Sequence, residues 1–422
     1  MTVAPLLSAS KGWAGANDRL RVAVIGLGGR GRDHMLTLAR IADVEVAAFC
    51  DPDEERMGER AREFTAQTGR TPKLETDLRR ILDDRSIDAI TIAAPNHWHA
   101  LATIWGCRAG KHVYVEKPVA HDPAEGRMMV EAARKHNRIV QGGTQRRSLE
   151  RIQRAVRALH DGAIGDVYMA RCIHFQRRDS IGFKEPEAPP ATFHWDLWLG
   201  PGPKRAFHRN LAPYNWHWFW DFGNGELGNN GVHYLDLARW GMQKGLPAKI
   251  HATGGRYGYR DQGETPNTLT ATYRFPDSKE IVCEIRGRFT NPEVGMNSGV
   301  IFYGAEGYMV IDSASRPRVD VFLGGAKEPA AGLLKLDDID PNQNWDTRHF
   351  QNFCDAVRAG KRETLACEIE EARISTAYCL LGNISYLTGR ALTFDTAAER
   401  FTDDAEANGM LSRQHRAPFI PS

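Results

Sequence analysis

Two residues have types and settings suited to moving protons at a carbon–oxygen bond: Lys117 in "EKP" (Glu116–Lys117–Pro118) and His233 in "GNNGVHYLD". A lysine ammonium lowers the pKa of a nearby alcohol, and its own pKa falls beside a positive ring. A neutral histidine held in one tautomer is a base for a hydroxyl at neutral pH. Each has a plainer alternative: a surface lysine bridged to Glu116, and a histidine satisfied in a domain interface. Pro118 permits a cis bond, which would aim Lys117 inward.

The stretch from Gly228 to Met242 reads as a helix with Asn229, His233, Asp236 and Trp240 at offsets of four, three and four, on one face. Asp236 is then close enough to hold the imidazole or to fill a neighbouring polar niche. Just before it, "WHWFW" places three tryptophans within five residues. Their alternation with Asn215, His217 and Asp221 leaves polar groups among rings that suit the C–H faces of a sugar, which makes at least one of Trp216, Trp218 and Trp220, the last two foremost, a candidate substrate contact beside a core reading. In "GGTQRRS", Gln145 and Arg146 are candidates for substrate hydroxyls, or simply part of a polar hinge.

These groups need a frame. "LRVAVIGLGGRGRDHMLTLAR" is a β-branched strand followed by Gly26, Gly28 and Gly31 in G-x-G-x-x-G spacing, then a helix. The first glycine permits the turn, the second lets backbone approach a pyrophosphate, and the third lets the helix sit close to the strand. The helix N-terminus offers free N–H groups to phosphates. A second strand, "VEVAAFCD", ends at Asp51, 25 residues after Gly26, where an acid binds the adenosine ribose. Asp51 favours NAD over NADP by repelling a 2′-phosphate, Arg30 and Arg32 nearby weaken that preference, and a simple helix cap is the alternative. Strands at "DAITIAA" and "HVYVE", alternating with helices, predict a doubly wound parallel sheet whose strand ends carry "PNHWHA" and "EKP".

Apolar residues make up 42% of the 422 and charged residues 26%, room for two or three domains, with no long apolar run to span a membrane. A net charge of +2 gives no field for a polyanion, so nucleic acid is not an expected partner. Seven scattered cysteines lack any C-x-x-C pair, and His194, His208 and His217 fit no compact ligand spacing, so neither disulfides nor metal are expected. "VAPLLSASKGWAGAN" has an A-x-A-like site at Ala14–Ala16 without a positively charged start. It reads as a loose arm of a cytoplasmic protein or as the remnant of an export signal.

Taken in order, the strand–glycine loop, "PNHWHA", "EKP" and "GNNGVHYLD" resemble the Gfo/Idh/MocA oxidoreductases, which act mostly on sugars, polyols and their relatives; the likeness covers about residues 20–395. The resemblance implies an arm (1–20), a Rossmann NAD(P)-binding domain (21–145), a substrate and oligomerisation domain on a large, open, mostly antiparallel sheet (146–395), and a tail (396–422). It implies that Lys117 and His233 act at the reacting carbon. The cofactor would lie against Gly26, Gly28, Gly29, Arg30, Gly31, Asp51, Pro95, Asn96, His99, Glu116 and Lys117. The helices starting at Asn344 or Asp346 and stopping at Gly360 and Gly389 are expected to pack back on the nucleotide domain, and a homo-oligomer is expected. One departure stands out: Asn229 occupies a place where many members carry aspartate, so it can orient a hydroxyl but cannot relay a proton. Two rivals remain at this stage, a redox-neutral NAD-dependent glycosidase or lyase working through a transient keto-sugar, and a non-catalytic nucleotide sensor.

Overall fold

The computed structural model describes residues 19–288, 290–312, 317–340 and 342–421. The apolar-arm and export readings of the first residues therefore lie outside the described residues. Six parallel strands form the first sheet: β1 (Leu20–Ile25), β2 (Val44–Cys50), β3 (Lys73–Glu75), β4 (Ala89–Ile92), β5 (His112–Val115) and β6 (Val140–Gly142), in the order β3-β2-β1-β4-β5-β6. The order reverses beside β1, so the ends of β1, β4 and β5 open a crevice at the switch point. Helices cover both faces, and the strands other than the edge strand β3 are accordingly mostly buried.

The second sheet has nine strands: β7 (Val167–Phe175), β8 (Lys249–Gly255), β9 (Thr268–Arg274), β10 (Glu280–Arg286), β11 (Ser298–Gly304), β12 (Gly307–Asp312), β13 (Val319–Leu323), β14 (Leu392–Asp395) and β15 (Arg400–Phe401). All neighbours pair antiparallel except β7 with β10. Strict alternation in β9 and β10 puts one face onto the helices Glu150–His160, Val232–Gly241 and Ile369–Thr388. The other face carries a smaller cluster around Ile173, Met296 and Val310, bordered by Tyr303, Tyr308 and Phe322.

Two helices join the domains. Asn344 caps Trp345–Ala359 by accepting from the Thr347 N–H, and Gly360 closes it in a left-handed conformation. Its Phe350 and Phe353 enter the core of the first domain, and Ile369 and Ala372 of the next helix do the same on the other face. The expected tail is structured over residues 396–421. They add β15 and the helix Ala405–Gly409, then run onto the nucleotide domain, where Arg413 and His415 reach Glu125 at 2.6 and 2.9 Å. Phe419 ends buried between Trp98 and Trp105. The seven cysteines are free and buried, and no described helix is long and apolar enough to cross a membrane.

Candidate active site

The glycine loop divides its work as the spacing requires. Gly26 has φ +82°, and a Cβ there would sit 2.7 Å from the Ala94 nitrogen; a Cβ on Gly31 would come within 1.8 Å of the Gly26 oxygen. These two are needed by the fold. Gly28 and Gly29 meet nothing within 4 Å, and the helix Gly29–Leu38 starts with no side-chain cap, so bare backbone N–H groups face open space. A pyrophosphate fits this cradle. At the end of β2, Asp51 accepts from the Leu27 and Asp53 N–H groups at 2.6 and 2.9 Å, and burial raises its pKa against their pull. Asp53, not Asp51, caps the next helix, so Asp51 remains at the cavity wall for a ribose.

The reading of Arg30 and Arg32 as a bias toward NADP is corrected. Arg30 is bound by Glu116 at 2.8 Å and Asp346 at 2.6 Å, and Arg32 by Glu63, so their charges are already matched. Arg30 lines the cavity together with Arg56 and Arg60, and Arg32 does not.

Gly26, Gly28, Asp51, Arg56, Asp77, Pro95 and Trp98 bound a cavity of about 840 Å³, open at its mouth, which the second domain walls with Phe193, Trp198 and Trp216. A second cavity of about 1190 Å³ shares Gly28, Arg56, Ala94 and Trp216 and extends to Asn96, His99, Glu116, Lys117, Tyr214, His217 and Asn229. The shared walls make them one cleft, running from the β2 carboxylate to the end of β5.

At that far end the Lys117–Pro118 bond is cis, and the Lys117 ammonium donates to the Asn229 carbonyl at 2.7 Å. Burial lowers its pKa, against the attraction of Glu116. Glu116 itself is occupied by Arg30 and His34 at 2.8 and 3.1 Å, so the surface-bridge alternative for Lys117 does not hold. His99 spans the Pro118 and Ala94 carbonyls at 2.7 Å each and ties the β4 and β5 loops together.

Asn229 does not lie on the regular helix expected. Leu227–Gly231 is a wide π turn, and the α-helix begins only at Val232. A Cβ on Gly228 would press to 2.5 Å from Asn224 and 3.5 Å from Pro118, so glycine lets this turn lean on the EKP segment. The Asn229 amide donates to the Tyr214 hydroxyl at 3.1 Å and to Glu226 at 3.4 Å. His233 is buried with no partner for Nδ1. Burial, then Arg146 and Lys117, push its pKa well below the ordinary value, so the ring is neutral.

The structure gives four of the expected substrate residues other partners. Asp236 is buried, holds Arg147 through both oxygens at 2.8–3.0 Å and accepts from the Ser375 hydroxyl at 2.6 Å; it is a structural anion, neither partner to His233 nor substrate ligand. Trp218 is buried beneath the Arg178 guanidinium, 5.4 Å from its centroid. Trp220 turns toward Tyr386, 6.4 Å away. Gln145 is drawn into the domain junction, where it donates to Asp346 at 3.1 Å. Arg146 lies against the rings of Tyr234 and Trp345 at 4.8 and 5.6 Å, with Nε and Nη1 lacking an acceptor. Of the three clustered tryptophans, Trp216 is the one on the cleft, stacked at 3.6 Å on His217, with Tyr214 beside it. Glu226 was also missed: it takes Arg178 at 2.8 and 2.9 Å and backs Asn229. Its signal in sequence is only its place ahead of the glycine turn.

Comparison with known proteins agrees with this geometry. Residues 20–144 match the oxidoreductase family with NAD-binding Rossmann fold of Gfo/Idh/MocA, residues 152–310 its C-terminal domain, and residues 336–420 its C-terminal alpha/beta domain. The chain is 36% identical over 174 residues to inositol 2-dehydrogenase 1 of Saccharopolyspora erythraea, 40% of this chain and 50% of that one. It is 28% identical over 226 residues to levoglucosan dehydrogenase of Pseudarthrobacter phenanthrenivorans, 53% and 51% of the two. The match thus spans about half the length of these curated relatives. The fold is that of the WlbA dehydrogenase of Bordetella pertussis, solved with NADH and UDP-GlcNAcA, with TM-score 0.68, 20% identity, and 89% and 99% of the two chains covered. With all three family regions present in order around a matching cleft, the chain belongs to the Gfo/Idh/MocA oxidoreductase family.

Proposed function

We propose that this protein transfers hydride between a hydroxyl-bearing carbon of a sugar or cyclic polyol and the nicotinamide of NAD. The observation that carries the reading is one cleft that joins the bare glycine cradle to the Lys117 ammonium seated on Asn229. Bound dinucleotide supplies the hydride acceptor or donor; the chain supplies orientation and proton handling. His233, held neutral, takes the hydroxyl proton, and the Lys117 ammonium stabilises the developing alkoxide. Both Asn229 donors are engaged, which leaves its amide oxygen for a substrate hydroxyl. Trp216 offers a ring face to a pyranose or inositol. Relatives named for inositol and levoglucosan, both polyhydroxylated rings, support that substrate class. Asp51, with Arg30 and Arg32 neutralised, supports NAD over NADP.

The test is absorbance of reduced nicotinamide on mixing protein and NAD with a panel of inositols, aldoses and anhydrosugars. Lys117→Ala and His233→Ala should each lose about a hundredfold or more in rate while still binding NAD. Unchanged rates in both would sink the reading. The same reading carries a homo-oligomer through the sheet face of Tyr303, Tyr308 and Phe322, which light scattering tests. It places a protein with exchanging cofactor in the cytoplasm, whereas an exported one would have to carry its dinucleotide with it.

A further inference from the structure

The turn that carries Asn229 is gathered around one buried carboxylate. Gly225, at φ +64°, brings the chain round into Glu226, whose side chain is 2% exposed and which is not among the residues bounding the cleft. Arg178 donates to both Glu226 oxygens, at 2.8 and 2.9 Å. The Asn229 amide donates to Oε1 at 3.4 Å, the Asn230 amide donates to the same oxygen, and His174 Nε2 lies 3.2 Å from it. Two amides three and four positions on are thus drawn back over the π turn Leu227–Gly231 by an ionised acceptor, which binds donors more strongly than a neutral one. Asn229 then faces both ways. Its side chain reaches Glu226, and its carbonyl accepts from the Lys117 ammonium at 2.7 Å.

The reaction needs His233 without a proton and Lys117 with one. Burial favours the uncharged form of both, which suits the histidine and works against the lysine. Few groups near Lys117 can offset this. Glu116 attracts it most but is also bound by Arg30 and His34, and Arg30 is shared with Asp346. Arg146, whose Nε and Nη1 lack an acceptor, repels it. His99, His217 and His233 are neutral at pH 7 and the Cys379 thiol keeps its proton, each chiefly through burial. The remaining anion is Glu226, whose charge draws the Lys117 pKa upward. Burial pushes Glu226 toward the neutral acid, but His174 and Arg178 more than reverse that, so the carboxylate stays ionised.

We infer that Glu226 is a positioning residue for the reaction proposed above: its carboxylate fixes the turn on which the Lys117 ammonium is seated and supplies a negative charge across Asn229 from that ammonium. It touches neither substrate nor dinucleotide. Its oxygens are filled by Arg178 and the two amides, so it takes no proton from the substrate hydroxyl; that proton goes to His233.

The test reads Lys117 directly and needs no substrate. Trace acetylation with acetic anhydride at stepped pH, followed on the Lys117 peptide by mass spectrometry, gives the pH at which the amine becomes reactive. In Glu226→Gln this onset should fall to lower pH, so that on the rising part of the curve Lys117 is about threefold more reactive or more at a given pH, with the high-pH plateau unchanged. Glu226→Asp should stay near wild type, and Glu226→Gln combined with Asn229→Asp, which returns a carboxylate to the same turn, should restore the onset. Glu226→Gln strands Arg178, so Glu226→Gln combined with Arg178→Met, which removes both charges, takes its place where the single variant does not fold. An onset unmoved by loss of the carboxylate overturns the inference. A rise in reactivity that is equal at every pH, plateau included, also overturns it, because a loosened turn would do the same without any charge. Once a substrate is found, the basic limb of the kcat profile should move down together with the onset. Turnover with limb and onset both unmoved removes the role of Glu226 and leaves the dehydrogenase reading standing; an onset that moves in a protein that reduces NAD with no substrate removes that reading and leaves Glu226 as the anchor of Lys117.

Discussion

The two ends of the cleft are built on different principles. At the nucleotide end, fit is made by what is missing: no side chains at Gly28 and Gly29, no cap on the helix, and an acid held by backbone N–H groups. At the substrate end, fit is made by what is crowded together: a lysine, a neutral histidine, an amide already holding two partners, and several arginines, of which Arg30, Arg147 and Arg178 are matched by carboxylates and Arg146 is not. The first kind of site binds a shape common to many proteins; the second responds to every change of charge. Substitutions at the two ends should therefore fail in different ways.

The largest effect is expected at His233. His233→Ala should lower kcat by about 10²–10⁴ with dinucleotide affinity unchanged in a fluorescence titration. Next is Asp236→Ala, which strands the buried Arg147 and should cost about 3–5 kcal/mol in urea unfolding; a substrate ligand would instead have changed KM and left stability alone. The glycine loop should split. Gly31→Ala drives a Cβ into the Gly26 carbonyl and should destabilise by about 1–3 kcal/mol. Gly28→Ala enters open space, so stability should hold within about 0.5 kcal/mol while NAD binding weakens, as calorimetry would read.

Acid sensitivity reaches beyond the cleft. Burial lowers His97 and His217 to about 3 and His112 and His349 to about 4. The unfolded chain takes up these protons below about pH 6.5, the folded chain only near 3 to 4, so stability present above pH 6.5 should be lost progressively across that window. Thermal melts at stepped pH read this directly. The smallest expected change is at Arg146. Arg146→Met removes a cation that depresses His233, so the acid limb of the rate profile should move upward in pH. An unmoved limb would mean that burial alone sets the histidine.

The nucleotide end was legible because its signals are local. A strand, three glycines and an acid 25 residues on carry their geometry with them. The substrate end was not, because its contacts are distant and its turns irregular. Asp236 was read as a neighbour of His233, but its partner Arg147 lies 89 residues away. Trp218 and Trp220 were chosen by alternation, which is a strand rule; Asn215–Trp218 is a tight 3-10 turn, and it sends Trp216 to the cleft instead. The offset between Asn229 and His233 was counted on an α-helix that is widened to a π turn at that point. The roles of Lys117 and His233 rest instead on "EKP" and "GNNGVH", which carry the family likeness independently of local geometry.

Arg416 comes 216 residues after the Gly200 carbonyl it grips. During synthesis the glycine loop and Asp51 are made long before that residue, whereas the loop at Gly200 cannot be bolted from outside until it is. The contact between Arg416 and the Gly200 loop thereby forms only after the strands of the nucleotide domain have all been made.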